Sequence, residues 1–461
     1  MKAHYRRIIL LFWGVVLSAQ AVWAQLAITD VKVHANIIDL TWTPSLDLSI
    51  VTESSSLSTD DFHFVGQAFP LNSTSLTNTD GRGFFRIRRV ESIAIPDPQL
   101  HSFIENAITN SHAPPGLICD IDADRITQLT AESADIEDAT GIRSLVNLAS
   151  LDLDGNSLLN LDVSTLSGLR LLSCNANSIS DLRLAGCTNL QVLHCDHNWL
   201  GDLDLSLLAN LQDVSCNFNV LNHLDLSGCS ALQSLDCSVN NLLEHLDLSG
   251  CPALLSLNCS ANLLTNLDLS ACTNLLFIDC DDNLPLSQLT LGQSACTNVS
   301  CTRGQLSSLD LLNCPHLLAL NCDENAIAEL DLSGCPQLQS ISCANNGLTA
   351  LDLSLCPNLE SLSCNSNELT TLDLCPDSNL TYLNADNNHI WDLTPLNTQT
   401  HLHVVRLVGN PINDLSPLIS LAQSGCLAGC TVYLSGPDIK QSEIDTLTNN
   451  AVFVEYNPYF P

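Results

Sequence analysis

The chain has 461 residues, and its 50 Asp and Glu against 15 Lys and Arg give a formal net charge of −35. Binding of nucleic acid requires a basic surface that neutralises phosphates, so this charge balance argues against nucleic acid as a partner. It suits basic partners or divalent cations, or it simply keeps a long protein in solution. Between Arg183 and Arg406 the only Lys or Arg is Arg303.

The N-terminal segment, residues 1–24, has the layout of a secretory signal peptide. Basic residues precede an apolar run from Ile8 to Leu17, and Val22 and Ala24 occupy the small-residue positions of a cleavage site. The run is too short to cross a bilayer, and no later segment is both long enough and uncharged enough to do so. We therefore expect cleavage after Ala24 and a secreted or cell-surface protein without a membrane span. The ending "VEYNPYFP" carries no lipidation or sorting motif.

A small all-β module is predicted for residues 25–92. Short alternating runs such as "ITDVKVHANIIDLTW" and "GFFRIRRV" are separated by Asn, Ser, Thr, Asp and Gly clusters. The segment resembles the fibronectin-like β-sandwich modules found ahead of repeat arrays in exported bacterial proteins. In the last run, alternation places Phe85 and Ile87 inward and Arg86 and Arg88 outward.

A linker and a capping helix are predicted for residues 93–124. In "IPDPQLHSFIENAITN", Asp97 can cap a helix that has Pro98 in its first turn. Leu100 and Ile104 then fall on one apolar face. A single amphipathic helix at this point is suited to covering the open end of a repeat array.

Residues 125–421 form about fourteen repeats, which can be written "NLxxLxCxxNxLxxLDLSGCP". Cysteines recur every 21 or 22 residues, for example at Cys237, Cys259 and Cys280. A fixed period of this length indicates a solenoid. These units resemble the short bacterial class of leucine-rich repeats, and the preceding "ITQLTAESADIEDATGI" resembles the N-terminal cap of internalin-like proteins. Residues 422–461 resemble a closing cap that ends in a strand around Val452 to Tyr456.

Each unit is predicted to contain two extended segments, so the fold class is a β-rich solenoid with a parallel sheet on its concave face. In "LxxLxC" the second leucine and the cysteine are two positions apart and both point inward from a strand. In "LxxLDLS" the same alternation favours a second extended segment on the far side. An asparagine follows each first strand, where its amide can satisfy the backbone groups of a turn.

Two columns of cysteines are predicted inside the solenoid. Free cysteine behaves as a small buried hydrophobe, whereas an exported protein also permits disulfides. Stacked cysteines have Cβ atoms about 4.8 Å apart, which is longer than the ~3.8 Å of a disulfide, so we expect mostly reduced columns. The pair Cys426 and Cys430 in "SGCLAGC" is a better disulfide candidate. The first column runs from Cys174 to Cys364, and the second contains Cys187, Cys229, Cys251, Cys272, Cys296, Cys314, Cys335 and Cys356.

Aspartates recur between two inward leucines and should face outward. Hydrogen bonds from neighbouring turns are one explanation for this aspartate column. Loosely bound calcium is another, although calcium prefers six to eight oxygen ligands. The column contains Asp162, Asp204, Asp225, Asp247, Asp268, Asp310, Asp331, Asp352 and Asp373.

Two patches of aromatic and polar residues are the predicted partner-binding residues of the concave face. Aromatic rings beside polar groups are typical anchors for protein or glycan contacts. The alternative for both patches is that these residues occupy exposed positions of the repeat by chance and bind nothing. The two histidines of the first patch also allow a weak metal-site hypothesis. The first patch is His194, Asp196, His197, Trp199 and Phe218; the second is Tyr382, Asp386, His389 and Trp391.

The sequence contains no nucleophile elbow, no phosphate-binding loop and no zinc-binding helix motif, and no catalytic cysteine with a partner histidine is recognisable. We therefore expect a non-enzymatic, monomeric recognition protein that uses no cofactor and no metal. Its ligand would be a protein or a surface glycan. A passive structural or surface spacer is the alternative from another class, and an unrecognised hydrolase is a distant third.

Overall fold

A computed structural model describes residues 93–108, 118–292, 295–375 and 379–458, the side chain of Ile121 excepted. Before Ile93 it describes only the backbone of the strands. The chain divides into two compact units, Met1–Leu169 and Arg170–Pro461.

The first unit begins with antiparallel strands. Ile8–Phe12 pairs with Val15–Ala19. Two three-stranded antiparallel sheets follow, which agrees with the all-β prediction for this segment, while the predicted directions of Phe85 and Ile87 lie outside the described side chains. The first sheet has the order Ile28–His34, Ile37–Trp42, Ser73–Thr77, and the second has the order His63–Gln67, Leu48–Ser54, Phe84–Val90.

A capping helix, α1, spans Pro98–Ala107, as predicted. Asp97 Oδ1 accepts hydrogen bonds from the backbone N–H groups of Gln99 (2.9 Å) and Leu100 (3.0 Å), which would otherwise be unpaired at the helix start. Leu100 and Ile104 are fully buried beneath the helix. The short strand Ser92–Ile93, before the helix, pairs antiparallel with Ile118–Cys119, after it. The short helix Asp120–Ala123 follows.

The first coils of the solenoid complete this unit. Gln128–Thr130 and Ser150–Asp152 pair in parallel, so that Leu129 lies beside Leu151. A 3₁₀ turn spans Ile142–Ser144, and a strand on the opposite side spans Asn160–Asp162.

The second unit is built around one parallel sheet, which we call the front sheet. The middle residue of each three-residue strand points inward and lies level with the inward residue of the next coil, as in Leu193, Val214 and Leu235. Its strands in order are Leu171–Ser173, Val192–His194, Asp213–Ser215, Ser234–Asp236, Ser256–Asn258, Phe277–Asp279, Asn298–Ser300, Ala319–Asn321, Ser340–Ser342, Ser361–Ser363, Tyr382–Asn384, Val404–Arg406, Thr431–Ser435 and Phe453–Asn457.

Seven coils of this unit also have a strand on the opposite side, and there the predicted second extended segment is confirmed. Between Arg170 and Leu415 the described residues contain no α-helix, and Thr394–Thr398 is a 3₁₀ turn. Two helices lie near the C-terminus, Ser416–Gln423 and Gln441–Asn449. The rear strands of this unit are Asp181–Arg183, Asp202–Asp204, His223–Asp225, Asn266–Asp268, Gln288–Thr290, Asp352–Leu353 and Asp373–Leu374.

Cysteines fill the core beside the leucines. None of the 22, all of which lie among the described residues, forms a disulfide, and all except the half-buried Cys375 and Cys426 are buried. The suggested Cys426–Cys430 disulfide is therefore not formed in this structure. Cys430 is buried at the start of a strand, with its Sγ 3.7 Å from the carbonyl oxygen of Thr431, whereas Cys426 is partly open to solvent. The two thiols lie in different surroundings.

The asparagine column closes each coil. The Nδ2 of Asn262 donates to the carbonyl oxygens of Cys237 (3.0 Å) and Cys259 (2.9 Å), and its Oδ1 accepts from the backbone N–H of Asn240 (3.1 Å). One buried amide thus satisfies backbone groups of two successive coils, which is the role the sequence predicted.

The aspartate column on the rear side makes hydrogen bonds within its own turns. Asp204, Asp225 and Asp268 each accept from the backbone N–H two residues further on, at 2.9–3.0 Å. The prediction that these side chains are hydrogen-bonded is therefore confirmed, with donors from the same turn rather than from a neighbouring one. For Asp225 and Asp268 this bond is the main cause of a lowered pKa.

Candidate recognition surface

The first predicted patch begins on the front sheet and continues into the turn that follows it. His194 ends the strand Val192–His194, and its Nε2 lies 3.5 Å from Oδ2 of Asp213 on the next coil. His197 and Phe218 lie in the turns of these two coils, and their rings stack with centroids 4.4 Å apart and planes inclined by 16°.

The geometry of the turns explains this ring stack. One residue in each turn has left-handed backbone geometry, with φ of 53° at His197 and 50° at Phe218. The backbone N–H of His197 donates to the carbonyl oxygen of Asn217, and that of Phe218 donates to Ser238. Because each turn is fixed to the next in the same way, side chains at this position stack along the array.

Asp196 has a structural role within the same patch. Its carboxylate accepts from Ser215 Oγ (2.7 and 2.9 Å) and from the backbone N–H of Asn217 (2.8 Å). Burial raises the pKa of Asp196, and these hydrogen bonds oppose the rise. Trp199 lies beyond the turn with 62% of its surface exposed, which leaves its indole available to a partner.

Asp386 of the second patch is already paired within the protein. Its Oδ2 lies 2.8 Å from Arg406 Nη2, and only 8% of the residue is exposed. The guanidinium of Arg406 in turn lies 4.5 Å from the centroid of the Tyr433 ring, in a cation–π contact. Tyr382 occupies the front strand Tyr382–Asn384, half-buried.

His389 and Trp391 lie outside the strands. His389 Nε2 is 2.6 Å from Glu368 Oε2, and both side chains are exposed. A groove of about 620 Å³ lies beside this pair, and Pro411 and Asp438 are among its lining residues. Trp391 is 56% exposed.

The nine predicted residues therefore do not share one sheet face. His194 and Tyr382 lie on front strands, whereas the other seven lie in the following turns or beyond. The two tryptophans also occupy different positions in their coils, because Trp199 precedes an inward leucine and Trp391 follows an inward isoleucine. The two patches are separate surfaces with different geometry.

Sequence reasoning missed a set of carboxylates on the front sheet. Asp236 and Asp279 end front strands, and Asp281 and Asp323 occupy the position after the inward cysteine, as Asp196 does. Phe277 begins one of these strands and is 50% exposed. Strand alternation applied to every coil, rather than only to the aromatic ones, would have found this set.

No metal or membrane feature is evident in the described residues. No group of three His, Cys, Asp or Glu side chains is arranged there to hold a metal ion, and His194 and His197 of the metal hypothesis pair separately, with Asp213 and Phe218. No helix among them is long and apolar enough to cross a bilayer.

Comparisons with known proteins agree with this architecture. A family model described as Leucine Rich repeats (2 copies) matches residues 336–376. The functional domain of InlJ from Listeria monocytogenes, described as including a cysteine ladder, is 26% identical with a TM-score of 0.58, over 76% of this chain and 84% of that chain. The Listeria monocytogenes internalin InlF is 21% identical with a TM-score of 0.39, over 79% and 91%. No curated protein sequence matches.

The solenoid, its repeat sequence and the similarity to the InlJ domain show a leucine-rich repeat fold, which is that of a protein-interaction scaffold. Within that class the chain is internalin-like, with 21-residue units similar in fold to those of the InlJ domain.

Proposed function

We propose that this protein is a secreted or cell-surface recognition protein that binds a partner protein without catalysing a reaction. The signal-peptide pattern of residues 1–24 supports export. Stacked coils provide an extended, rigid surface, which is how repeat proteins ordinarily bind. The binding surface is the front sheet together with the edge that carries Trp199 and Phe218.

One observation carries this proposal, namely that two successive coils expose His197, Trp199 and Phe218, of which His197 and Phe218 stack; we call these three residues the aromatic cluster. Trp199 is 62% exposed and Phe218 is 49% exposed, beside polar strand residues. Aromatic side chains with few rotatable bonds are enriched among the residues that dominate interface energies. A surface glycan is the second candidate ligand, because aromatic rings beside His and Asp side chains also suit sugar contacts.

The experiment measures saturable binding of the purified protein to components of a surface extract. Replacing Trp199 and Phe218 with alanine should weaken binding about tenfold or more, as for the loss of interface anchors. Leu284→Ala is the matched control, because Leu284 follows an asparagine as Trp199 does and is 63% exposed.

Two results would contradict the proposal. Binding that is equal for the wild type and the double alanine variant would exclude the aromatic cluster as the anchor. The absence of any saturable partner would favour the passive spacer. Treatment of the extract with glycosidases or with proteases distinguishes the two ligand classes.

A further inference from the structure

The front sheet ends in a strand whose outer side is open. Phe453–Asn457 is the last strand in the order of this sheet, and none of the strands that the structure describes pairs with its outer side. It spans five residues, whereas most front strands span three, and it contains no Pro, Gly or Lys. Short length, proline and lysine are devices that commonly protect a sheet edge from pairing, and this strand has none of them.

The hydrogen bonds of this strand show which of its backbone groups point outward. The N–H of Phe453 donates to the carbonyl oxygen of Cys430 at 2.9 Å. Bonding alternates along a parallel ladder, so the backbone groups of every second residue face the preceding strand. Those of Val454 and Tyr456 lie between and point away from the sheet. We call these two N–H and two C=O groups the open edge.

The core side of this strand is also incompletely covered. Val454 lies level with Val432 of the preceding strand, and Tyr456 lies level with Leu434. Val432 and Leu434 are fully buried, whereas Val454 and Tyr456 are only half-buried. By contrast, Leu129 in the first strand of the sheet is 3% exposed. Within the described chain, the last coil therefore lacks the apolar cover that the other coils receive from a neighbour.

An extended chain satisfies both of these features at once. A strand laid beside the open edge exchanges hydrogen bonds with Val454 and Tyr456, and its alternate side chains point into the core beside theirs. A helix uses its own N–H and C=O groups internally and cannot pair with this edge. The occupant is therefore a β-strand with apolar residues at its two inward positions.

The solvent side of the strand specifies the remaining side chains of the occupant. Phe453 is 66% exposed, and Glu455 is exposed on the same side. No described Lys, Arg or His forms an ion pair with Glu455, and Arg406, two strands away, is held by Asp386 at 2.8 Å. Across a strand pair, Glu455 favours an opposite charge, and Phe453 favours an aromatic or β-branched residue.

We propose that the open edge binds an extended segment of a partner protein, which adds to the front sheet as a further strand. The segment carries two inward apolar residues, a Lys or Arg beside Glu455 and an aromatic or β-branched residue beside Phe453. This assignment goes beyond the proposed function, because it adds a second binding surface separate from the aromatic cluster. A second copy of this chain is a poor occupant, since antiparallel self-pairing centred on the strand places two Glu455 side chains directly opposite each other.

The test is fluorescence anisotropy with the full chain and two labelled seven-residue peptides. The first is Ser-Tyr-Val-Lys-Val-Tyr-Ser, and the second has Glu in place of Lys. Both sequences read the same in either direction, so the central residue meets Glu455 in parallel or antiparallel pairing.

Three variants complete the test, and circular dichroism verifies the fold of each. Val454→Pro removes one outward N–H and leaves the hydrogen bonds to the preceding strand intact. Val454→Ala is its control, because it shortens the same side chain and keeps that N–H. Glu455→Lys reverses the charge on the solvent side.

The proposal predicts that the lysine peptide binds the wild type at least about fivefold more tightly than the glutamate peptide, because attraction replaces repulsion. Glu455→Lys should reverse this order. Val454→Pro should bind the lysine peptide at least about fivefold more weakly than Val454→Ala, through loss of a backbone hydrogen bond. In the wild type, the bound peptide should slow hydrogen exchange at the amides of Val454 and Tyr456.

The absence of binding, equal binding of the two peptides, or binding that leaves these two amides unprotected would overturn the proposal. Equal affinities of Val454→Pro and Val454→Ala would do the same, because backbone pairing would then not be required. If Val454→Pro does not fold, exchange protection in the wild type decides alone. If the peptides fail while a surface partner still binds in a Trp199-dependent manner, the open edge is not a binding surface and the recognition function stands.

Discussion

At the residue scale, the asparagine column decides where each coil turns. Asn262 is 3% exposed and makes hydrogen bonds to backbone groups on both its own coil and the preceding one. A buried carbonyl or N–H that loses its partner carries the full cost of desolvation. Each asparagine therefore stabilises the stack as well as its own turn.

We predict that Asn262→Ala lowers the free energy of unfolding by about 3 kcal/mol, because several buried backbone groups lose their partner at once. The measurement is urea denaturation followed by circular dichroism. Asn274→Ala is the control, since Asn274 is exposed and donates one hydrogen bond, to the carbonyl oxygen of Pro252 at 3.2 Å. It should change stability by less than about 0.5 kcal/mol. Equal destabilisation by the two substitutions would contradict this role.

Buried thiols make the folded chain sensitive to alkali. Burial raises the pKa of the Cys229 thiol to about 11 and that of Cys251 to about 12, against an ordinary value of 9.0. Between these values the unfolded chain has lost protons that the folded chain retains. Because the unfolded state then binds fewer protons, the free energy of unfolding falls as the pH rises.

We therefore predict a thermal midpoint that is steady from pH 7 to 8 and falls steeply above pH 9, measured with a reductant present. Each thiol contributes about 1.4 kcal/mol per pH unit in this range. A variant with Cys229→Ala and Cys251→Ala should show a shallower fall, although it is less stable at neutral pH. A midpoint that does not change up to pH 10.5 would show that the thiols are not buried.

At the scale of elements, Asp97 joins the capping helix to the chain beside it. One carboxylate oxygen caps α1, and the other accepts from the backbone N–H groups of Glu137 (2.9 Å) and Asp138 (3.3 Å). The side chain is 7% exposed. A single carboxylate thus determines both where the helix begins and how it meets residues forty positions later.

We predict that Asp97→Ala destabilises this part of the first unit by about 2 kcal/mol, through loss of the cap and of the bonds to Glu137 and Asp138. Hydrogen exchange should accelerate for the amides of Leu100 and Glu137. Ser102→Ala, at an exposed position of the same helix, should leave those rates unchanged. Equal exchange in the two variants would exclude the proposed link.

The repeating elements could be predicted from the sequence because they depend on local alternation and a fixed period. The leucine and cysteine two positions apart predicted the front strands, and "LxxLDLS" predicted the extended rear segments. Asp97 followed by Pro98 predicted the start of α1. Each of these signals lies within one unit and requires no knowledge of distant contacts.

The candidate site could be predicted only in part, because it depends on contacts between coils. Asp386 pairs with Arg406, twenty residues later. Its carboxylate therefore joins two coils and is not free to bind a partner. His197 stacks on Phe218 because both residues have the left-handed backbone conformation in successive turns. The sequence of a single repeat does not show that these two positions lie side by side. The carboxylates at the ends of front strands, such as Asp236 and Asp279, follow from strand alternation in the sequence, but the hydrogen bonds that front carboxylates make between coils do not.

At the scale of the whole molecule, the chain combines a repeating core with a surface that differs from coil to coil. Leucines and thiols at fixed positions close the core, whereas the residues between them are free to vary. Two sets of these acidic residues have different structural roles. The rear aspartates accept hydrogen bonds from the backbone of their own turns, whereas front carboxylates such as Asp281 are half-buried and accept hydrogen bonds from the next coil.

The central claim is that the stacked cysteines are reduced and belong to the core, and counting thiols tests it most directly. The protein is treated with a thiol-alkylating reagent in native buffer or in concentrated denaturant, without a reductant, and analysed by mass spectrometry. The structure predicts at most two fast-reacting thiols in the native protein, Cys375 and Cys426, and labelling of all 22 after denaturation. A denatured chain that leaves most cysteines unlabelled, or a native chain that labels many of them rapidly, would contradict it.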